Sequence, residues 1–241
     1  MTTSSVQGVV ERYARLRHEV DSETPLLLVR HGRTRANREG LFLGATDIPL
    51  DRFGRHQAQL VADRIAREWP ADAIVSSPML RARTTAEPIA ERLGLVPTTV
   101  DDLREMDFGR FEGHTFEDIN RLDPAFIERL AAFDDDDLAW PGGEQRGAFY
   151  RRVWGAFEQV VHDHRGRRVV VVAHGGVIGA FMAMLRGQLP GDPTIYGLKN
   201  CSVTHLVVQR PHTEVHRFNC VAHLDGLDDT GYQDDEVGEC D

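Results

Sequence analysis

A chain of 241 residues with 41% hydrophobic residues and a formal net charge of −10 can bury one sizeable core, and it holds no apolar run near the roughly 18 to 20 residues that span a bilayer. Eight of the negative charges fall between Asp225 and Asp241, where there is no Lys or Arg, which leaves the rest of the chain at about −2; the acidic sum disfavours nucleic acid, and the tail reads as a solvated end. Cys201, Cys220 and Cys240 cannot all pair within one chain, and the first 24 residues lack the continuous apolar centre of a secretory signal, so the expectation is a protein of the reducing cytoplasm.

In chain order, Val6, Val9, Val10, Tyr13 and Leu16 suggest an amphipathic helix over 6–18 that precedes the main domain. Leu26 to Val29 is a wholly apolar run that leads through Arg30 to His31-Gly32, and Val169 to Val172 leads through Ala173 to His174-Gly175 on the same plan. Such runs predict strands buried on both faces, the signature of a parallel sheet covered by helices. Ligands in open α/β sheets bind beyond the carboxyl ends of the strands, so two strands that each end in histidine can bring both rings to one crevice.

Between these strands, Leu50, Phe53, Leu60, Val61 and Ile65 form a helical stripe that ends near Trp69, and Ala73 to Ser76 reads as the next strand. Ser77-Pro78 predicts an N-cap with proline at the first helical position of a helix reaching Gly94, kinked at Pro88. Val177 to Leu185 is apolar nearly all round and reads as a buried helix whose N-terminus faces the crevice. Val203 to Gln209 and Val215 to Asn219 predict an edge hairpin turned at Pro211. His162-Asp163-His164 ends a polar helix and reads as solvated, and His205, His212, His216 and His223 lack zinc-like spacing, so no metal site is expected. The glycines at 32, 175 and 176 form neither a GxGxxG nor a Walker pattern.

Hydrolysis of a phosphate monoester demands a nucleophile, cationic donors on the equatorial oxygens and an acid for the leaving oxygen. Lys199 is the only lysine among 28 basic residues, so a phosphate grip here would be built from guanidinium forks. The string Leu28-Val-Arg30-His31-Gly-Arg-Thr34 resembles the signature of the histidine phosphatase superfamily, the group of phosphoglycerate mutases and many small-molecule phosphatases. Ordered matches follow at Gly44 to Asp51 with Gly54 and Gln57, at Ser76 to Arg81 with Thr85, at Leu103 to Gly109 with Glu112-Gly113, and at Val171 to Gly176. The resemblance covers about residues 25–223.

It implies an α/β fold of three layers, a mostly parallel central sheet flanked by helices, with a helical and loop cap over the carboxyl edge of the strands. Residues 1–24 would be an extension, 25–223 the domain with its cap at about 106–147, and 224–241 a tail. His31 would attack phosphorus, while Arg30, Arg81 and His174 would hold the phosphoryl oxygens, with the Gly175 N–H, Asn37 and, less centrally, Thr34 adding donors. Spacing alone leaves His31 and His174 equivalent; the resemblance selects His31. Glu105 would protonate the leaving oxygen, although Asp101, Asp102, Asp107 and Glu112 lie close by and a loop carboxylate is by default a surface group. No cofactor or metal is implied.

The segment after Glu105, with its acidic run at Asp134 to Asp137, resembles the phosphatase branch. The longer basic insertion of the mutases is missing, which makes a phosphoglycerate mutase the second reading and a noncatalytic phosphate-binding or scaffold protein the third. The expected partner is a small phosphorylated metabolite, with neither nucleic acid nor membrane. Dimers are frequent in the family, which leaves a homodimer open, and the strand over 203–209 is a candidate edge for it.

Overall fold

The computed structural model describes residues 23–131, 135, 137–187, 197–209 and 213–228. The helix expected over 6–18, the turn at Pro211, the acidic residues Asp134 and Asp136 and the tail beyond 228 lie outside the described residues. Two strands open and close the parallel core: β1 (Thr24–Arg30) is followed by α1 (Arg35–Glu39), α2 (Arg52–Glu68), β2 (Ala73–Ser76), α3 (Leu80–Leu93) and β3 (Thr98–Thr99). The cap contains α4 (Phe116–Leu122) and α5 (Pro124–Ala131). The chain then runs through α6 (Arg146–Asp163), β4 (Val169–Ala173), α7 (Gly175–Leu185), β5 (Val203–Val208) and β6 (Glu214–Cys220).

The strand order is β3-β2-β4-β1-β5-β6, with the first four parallel and the last two joined antiparallel. Side-chain alternation explains why the central runs are apolar at every position. Leu26, Leu28, Val169 and Val171 enter the cluster built with α6 and α7, while Leu27, Val29, Val170 and Val172 enter the cluster built with α2 and α3. A strand covered on both faces has no side on which a polar residue would meet water.

Along α6, Phe149, Val153, Trp154, Phe157, Val160 and Val161 recur at helical spacing and are all buried. Phe157 stacks on Phe181 of α7 with ring centroids 3.7 Å apart. Phe157→Ala should therefore lower unfolding free energy by about 3–5 kcal/mol, the cost of emptying an aromatic core site. Urea denaturation measures it, and a loss under about 1 kcal/mol would show that the stack adds nothing to the core.

Two expectations need correction. Helix α3 starts at Leu80, not at Pro78, and its N-cap residue Met79 makes no side-chain cap bond; the Ser77 hydroxyl is engaged by a histidine ring instead, as described below. The helix includes Pro88, the expected place for a kink, within its span. The strand over 203–209 is interior, flanked by β1 and β6, so the sheet edge available to a second copy on that side is β6. Among the described residues no helix is long and apolar enough to cross a membrane.

The cap carries a separate apolar cluster of Phe111, Ile119, Phe126, Leu138 and Trp140. Met106, at the start of the cap, packs against both this cluster and that of α6 and α7.

Candidate active site

Because Arg30 pairs with Ala173 in the parallel register, the residues that follow them, His31 and His174, leave adjacent strands side by side. Their ring centroids lie 5.1 Å apart at 60°. His31 is 4% exposed, and its Nδ1 lies 2.8 Å from the Gly32 carbonyl. An oxygen acceptor there assigns the proton to Nδ1, which leaves Nε2 with its lone pair and no hydrogen bond among the described residues. The turn after His31 is tight: a Cβ on Gly32 would lie 2.5 Å from the Gly54 carbonyl at the start of α2.

His174 is held differently. Nε of Arg81 donates to its Nδ1 (3.3 Å), so its proton resides on Nε2 and is donated to the Ser77 hydroxyl (2.7 Å). Arg81 also grips the loop beside it, through Nη1 to the Thr46 carbonyl (3.1 Å) and Nη2 to the Gly44 carbonyl (2.8 Å). Ser77 is the residue that sequence reasoning missed. The available signal was position, since Ser77 leaves the carboxyl end of β2 just as the histidines leave β1 and β4.

Arg30 donates from Nη1 to the Leu198 carbonyl, but its buried Nε has no partner. An orphaned guanidinium donor at this depth is costly unless something anionic arrives to accept from it. Beside it the N-terminus of α7 begins at Gly175, and both Arg30 and Gly175 line the chamber that opens toward the cap.

Glu105 Oε2 accepts the Gly176 N–H (3.0 Å) and Oε1 the Met106 N–H (3.0 Å). A Cβ on Gly176 would fall 2.4 Å from Glu105 Oε1, so glycine at this position is what lets the carboxylate reach the helix end. Glu112, its rival in sequence, faces elsewhere: its oxygens accept the N–H groups of Gly44 (3.2 Å), Ala45 (2.6 Å), Thr46 (2.8 Å) and Phe108 (3.3 Å). Burial would raise the Glu112 pKa, but hydrogen bonds from Thr46, Ala45 and Phe108 outweigh it and leave the carboxyl below its ordinary value. Glu112 thus shapes the loop that holds Arg81. Asp107 accepts the Gly109 N–H (2.8 Å), and Asp102 pairs with Arg104 (3.3 Å).

Asn37 and Thr34 form a capping box at the start of α1. Asn37 Oδ1 accepts from the Thr34 N–H, the Thr34 hydroxyl and Asn200 Nδ2, each at 3.1 Å, which leaves its Nδ2 as the group able to donate into the chamber it lines. The Thr34 hydroxyl is consumed by the cap, and Thr34 is not among the described residues that line the chamber. No group of three or more His, Cys, Asp or Glu residues is placed to hold a metal ion among the described residues.

Burial holds the His31 ring well below the ordinary histidine value of 6.5; the Arg81 and Arg30 guanidiniums add to the effect, and the bond to the Gly32 carbonyl opposes it. His174 is lowered in the same way, by burial and then by Arg81, His31 and Arg30. A lowered pKa means a neutral ring through mildly acidic pH. Corrected for the substrate's own second ionisation near 6, kcat/KM should fall off only below pH 6.5, because that ratio reports the free enzyme. Arg81→Gln removes a positive neighbour and should move the acid limb to higher pH. A limb at or above 6.5 in the unaltered protein would contradict a ring held neutral by its surroundings.

The family model described as "Histidine phosphatase superfamily (branch 1)" matches residues 26–221. Metal-independent phosphoserine phosphatase of Arabidopsis thaliana is 32% identical over 216 residues, 87% of each chain. Phosphoglycerate mutase-like protein 4 of the same plant is 35% identical over 179 residues, which cover 74% of this chain and 76% of that protein. Among solved structures, a phosphoserine phosphatase mutant from Entamoeba histolytica in complex with phosphoserine superposes with a TM-score of 0.75 at 28% identity, covering 83% of this chain and 99% of that one. Paired strand ends, ordered motifs and overall shape agree, and the chain belongs to the histidine phosphatase superfamily, branch 1.

Proposed function

We propose that the chain is a metal-independent phosphomonoesterase that cleaves a small phosphorylated metabolite through a phosphohistidine on His31. The observation that carries this reading is the pairing of an acceptor-ready His31 Nε2 with an unpartnered Arg30 Nε at the same strand end. The lone pair on Nε2 forms the new P–N bond as the P–O bond to the alcohol breaks. Arg30, Asn37 Nδ2 and the Gly175 N–H at the start of α7 receive the phosphoryl oxygens, where preorganised donors stabilise developing charge. Arg81 supplies further positive potential, while the neutral His174 ring, fixed by Ser77, holds Arg81 Nε in place.

Glu105 gives its proton to the departing oxygen, then takes one from the water that attacks the phosphohistidine and regenerates His31. The same intermediate could return its phosphoryl group to a second hydroxyl, as a mutase requires, so the experiment includes both. Protein treated with EDTA is incubated with a phosphomonoester panel and with 3-phosphoglycerate primed by 2,3-bisphosphoglycerate, and quenched samples are assayed for acid-labile phosphoprotein. Phosphate release with a trapped phosphohistidine is the expected result. Absence of release across the panel would sink the reading, and fast priming-dependent isomerisation would replace hydrolysis with mutase chemistry.

A further inference from the structure

The chamber that opens from Arg30, Glu105 and Gly175 toward the cap has a volume of about 620 Å³, within the range that holds a drug-sized ligand. Its walls past the catalytic corner are mostly apolar. Phe42, Phe108 and Trp140 form a three-ring corner, with centroids 5.2 Å apart for Phe42 and Phe108, 4.7 Å for Phe108 and Trp140 and 5.6 Å for Phe42 and Trp140. Ile127 and Leu130 of α5 add aliphatic surface to the lining. Phe116 also lines the chamber yet is 53% exposed, so the fold leaves an aromatic side chain at the mouth that packing alone does not use.

Charged side chains on the described lining are Arg30, Glu105 and Arg146. The first two serve the phosphoryl group and the leaving oxygen in the reading above. Arg146 is 4% exposed and donates from Nη2 to the Leu130 carbonyl (2.9 Å), which fixes it as a strut of the cap. An ammonium on the substrate's alcohol would therefore find no carboxylate other than Glu105 among the described lining residues, and an unpaired charge in a largely apolar site is strongly disfavoured.

Resting on the phosphomonoesterase reading, we propose that the substrate is the monoester of a bulky apolar or aromatic alcohol, whose organic part lies against Phe42, Phe108 and Trp140 beneath Phe116. The phosphoryl group occupies the catalytic corner and the ring or chain displaces water from the apolar walls. Selectivity against small cationic alcohols follows from the lack of a second carboxylate among the described lining residues, and selectivity for bulk follows from the apolar surface that a larger group covers.

The test must hold leaving-group basicity roughly constant, since an aryl ester would react faster for chemical reasons alone. With full-length, EDTA-treated protein, kcat/KM is compared for 2-phenylethyl phosphate, glycerol 3-phosphate and O-phosphoserine, all esters of alkyl alcohols. The expected result is a preference of about 100-fold or more for 2-phenylethyl phosphate over phosphoserine. Phe116→Ser at the rim and Ile127→Ser on the wall should each lower kcat/KM for 2-phenylethyl phosphate by roughly 10-fold while leaving glycerol 3-phosphate within about two-fold. Phosphoserine turned over as well as the phenylethyl ester, or a ratio unmoved by both variants, would overturn the substrate proposal and leave the phosphatase reading intact. If no ester is cleaved and no phosphohistidine is trapped, the catalytic reading fails and the substrate proposal fails with it.

Discussion

His31→Ala should lower kcat/KM by about 10⁴-fold or more and abolish the acid-labile phosphoprotein, while leaving the thermal unfolding temperature within a few degrees. The two halves of that expectation have separate causes. In the proposed mechanism, loss of Nε2 removes the atom that forms the P–N bond, and His174 cannot take its place because both of its nitrogens are engaged, by Arg81 and by Ser77. Stability is spared because the hydrogen bond of the ring is local, to the adjacent Gly32 carbonyl, and a buried imidazole beside two guanidinium groups adds little favourable energy of its own. His174→Ala provides the contrast, since it should slow the reaction yet leave slow phosphorylation of His31 detectable. A phosphoprotein that persists in His31→Ala, or disappears only in His174→Ala, would reverse the assignment of the nucleophile.

Glu105→Gln should cost about 10²- to 10⁴-fold in kcat with an alkyl phosphate and much less with p-nitrophenyl phosphate. The amide oxygen can still accept the Gly176 N–H, while the bond from the Met106 N–H is lost because an amide nitrogen does not accept. The amide has no acidic proton to deliver, and an alkoxide cannot leave readily without one, whereas nitrophenolate can. Steady-state rates on the two esters separate the roles: an equal loss on both would mean that Glu105 shapes the site and donates no proton. Gly176→Ala should resemble a partial Glu105 defect, because the added Cβ would fall 2.4 Å from Oε1 and push the carboxylate away.

The parts of the fold that were legible in sequence are those set by local pattern. Leu26 to Val29 and Val169 to Val172 are apolar at every position because β1 and β4 are covered on both faces, and a sheet with two such strands brings their ends together almost by necessity. Helix α2 was equally plain, since its stripe continues for four turns. Ser77 was not legible. A Ser-Pro pair is as good a helix start as any, and what overrides that reading is a ring 97 positions away in the chain. Glu105 and Glu112 could not be separated by local pattern either, because they differ in which distant backbone N–H groups they meet: the end of α7 for one, the loop from Gly44 to Thr46 for the other. The aromatic corner of the chamber draws Phe42, Phe108 and Trp140 from three separated stretches, and no window of sequence contains it.

The apolar cluster inside the cap is separate from the two that sandwich the sheet, with Met106 as the bridge. A roof with its own interior is an interchangeable part. Grafting a different segment between Met106 and Gln145 that retains Glu112, whose carboxylate holds the Gly44 to Thr46 loop, would exchange the alcohols admitted while His31, Arg30 and their strands kept the same footing, so diversification of this scaffold need not risk its foundation.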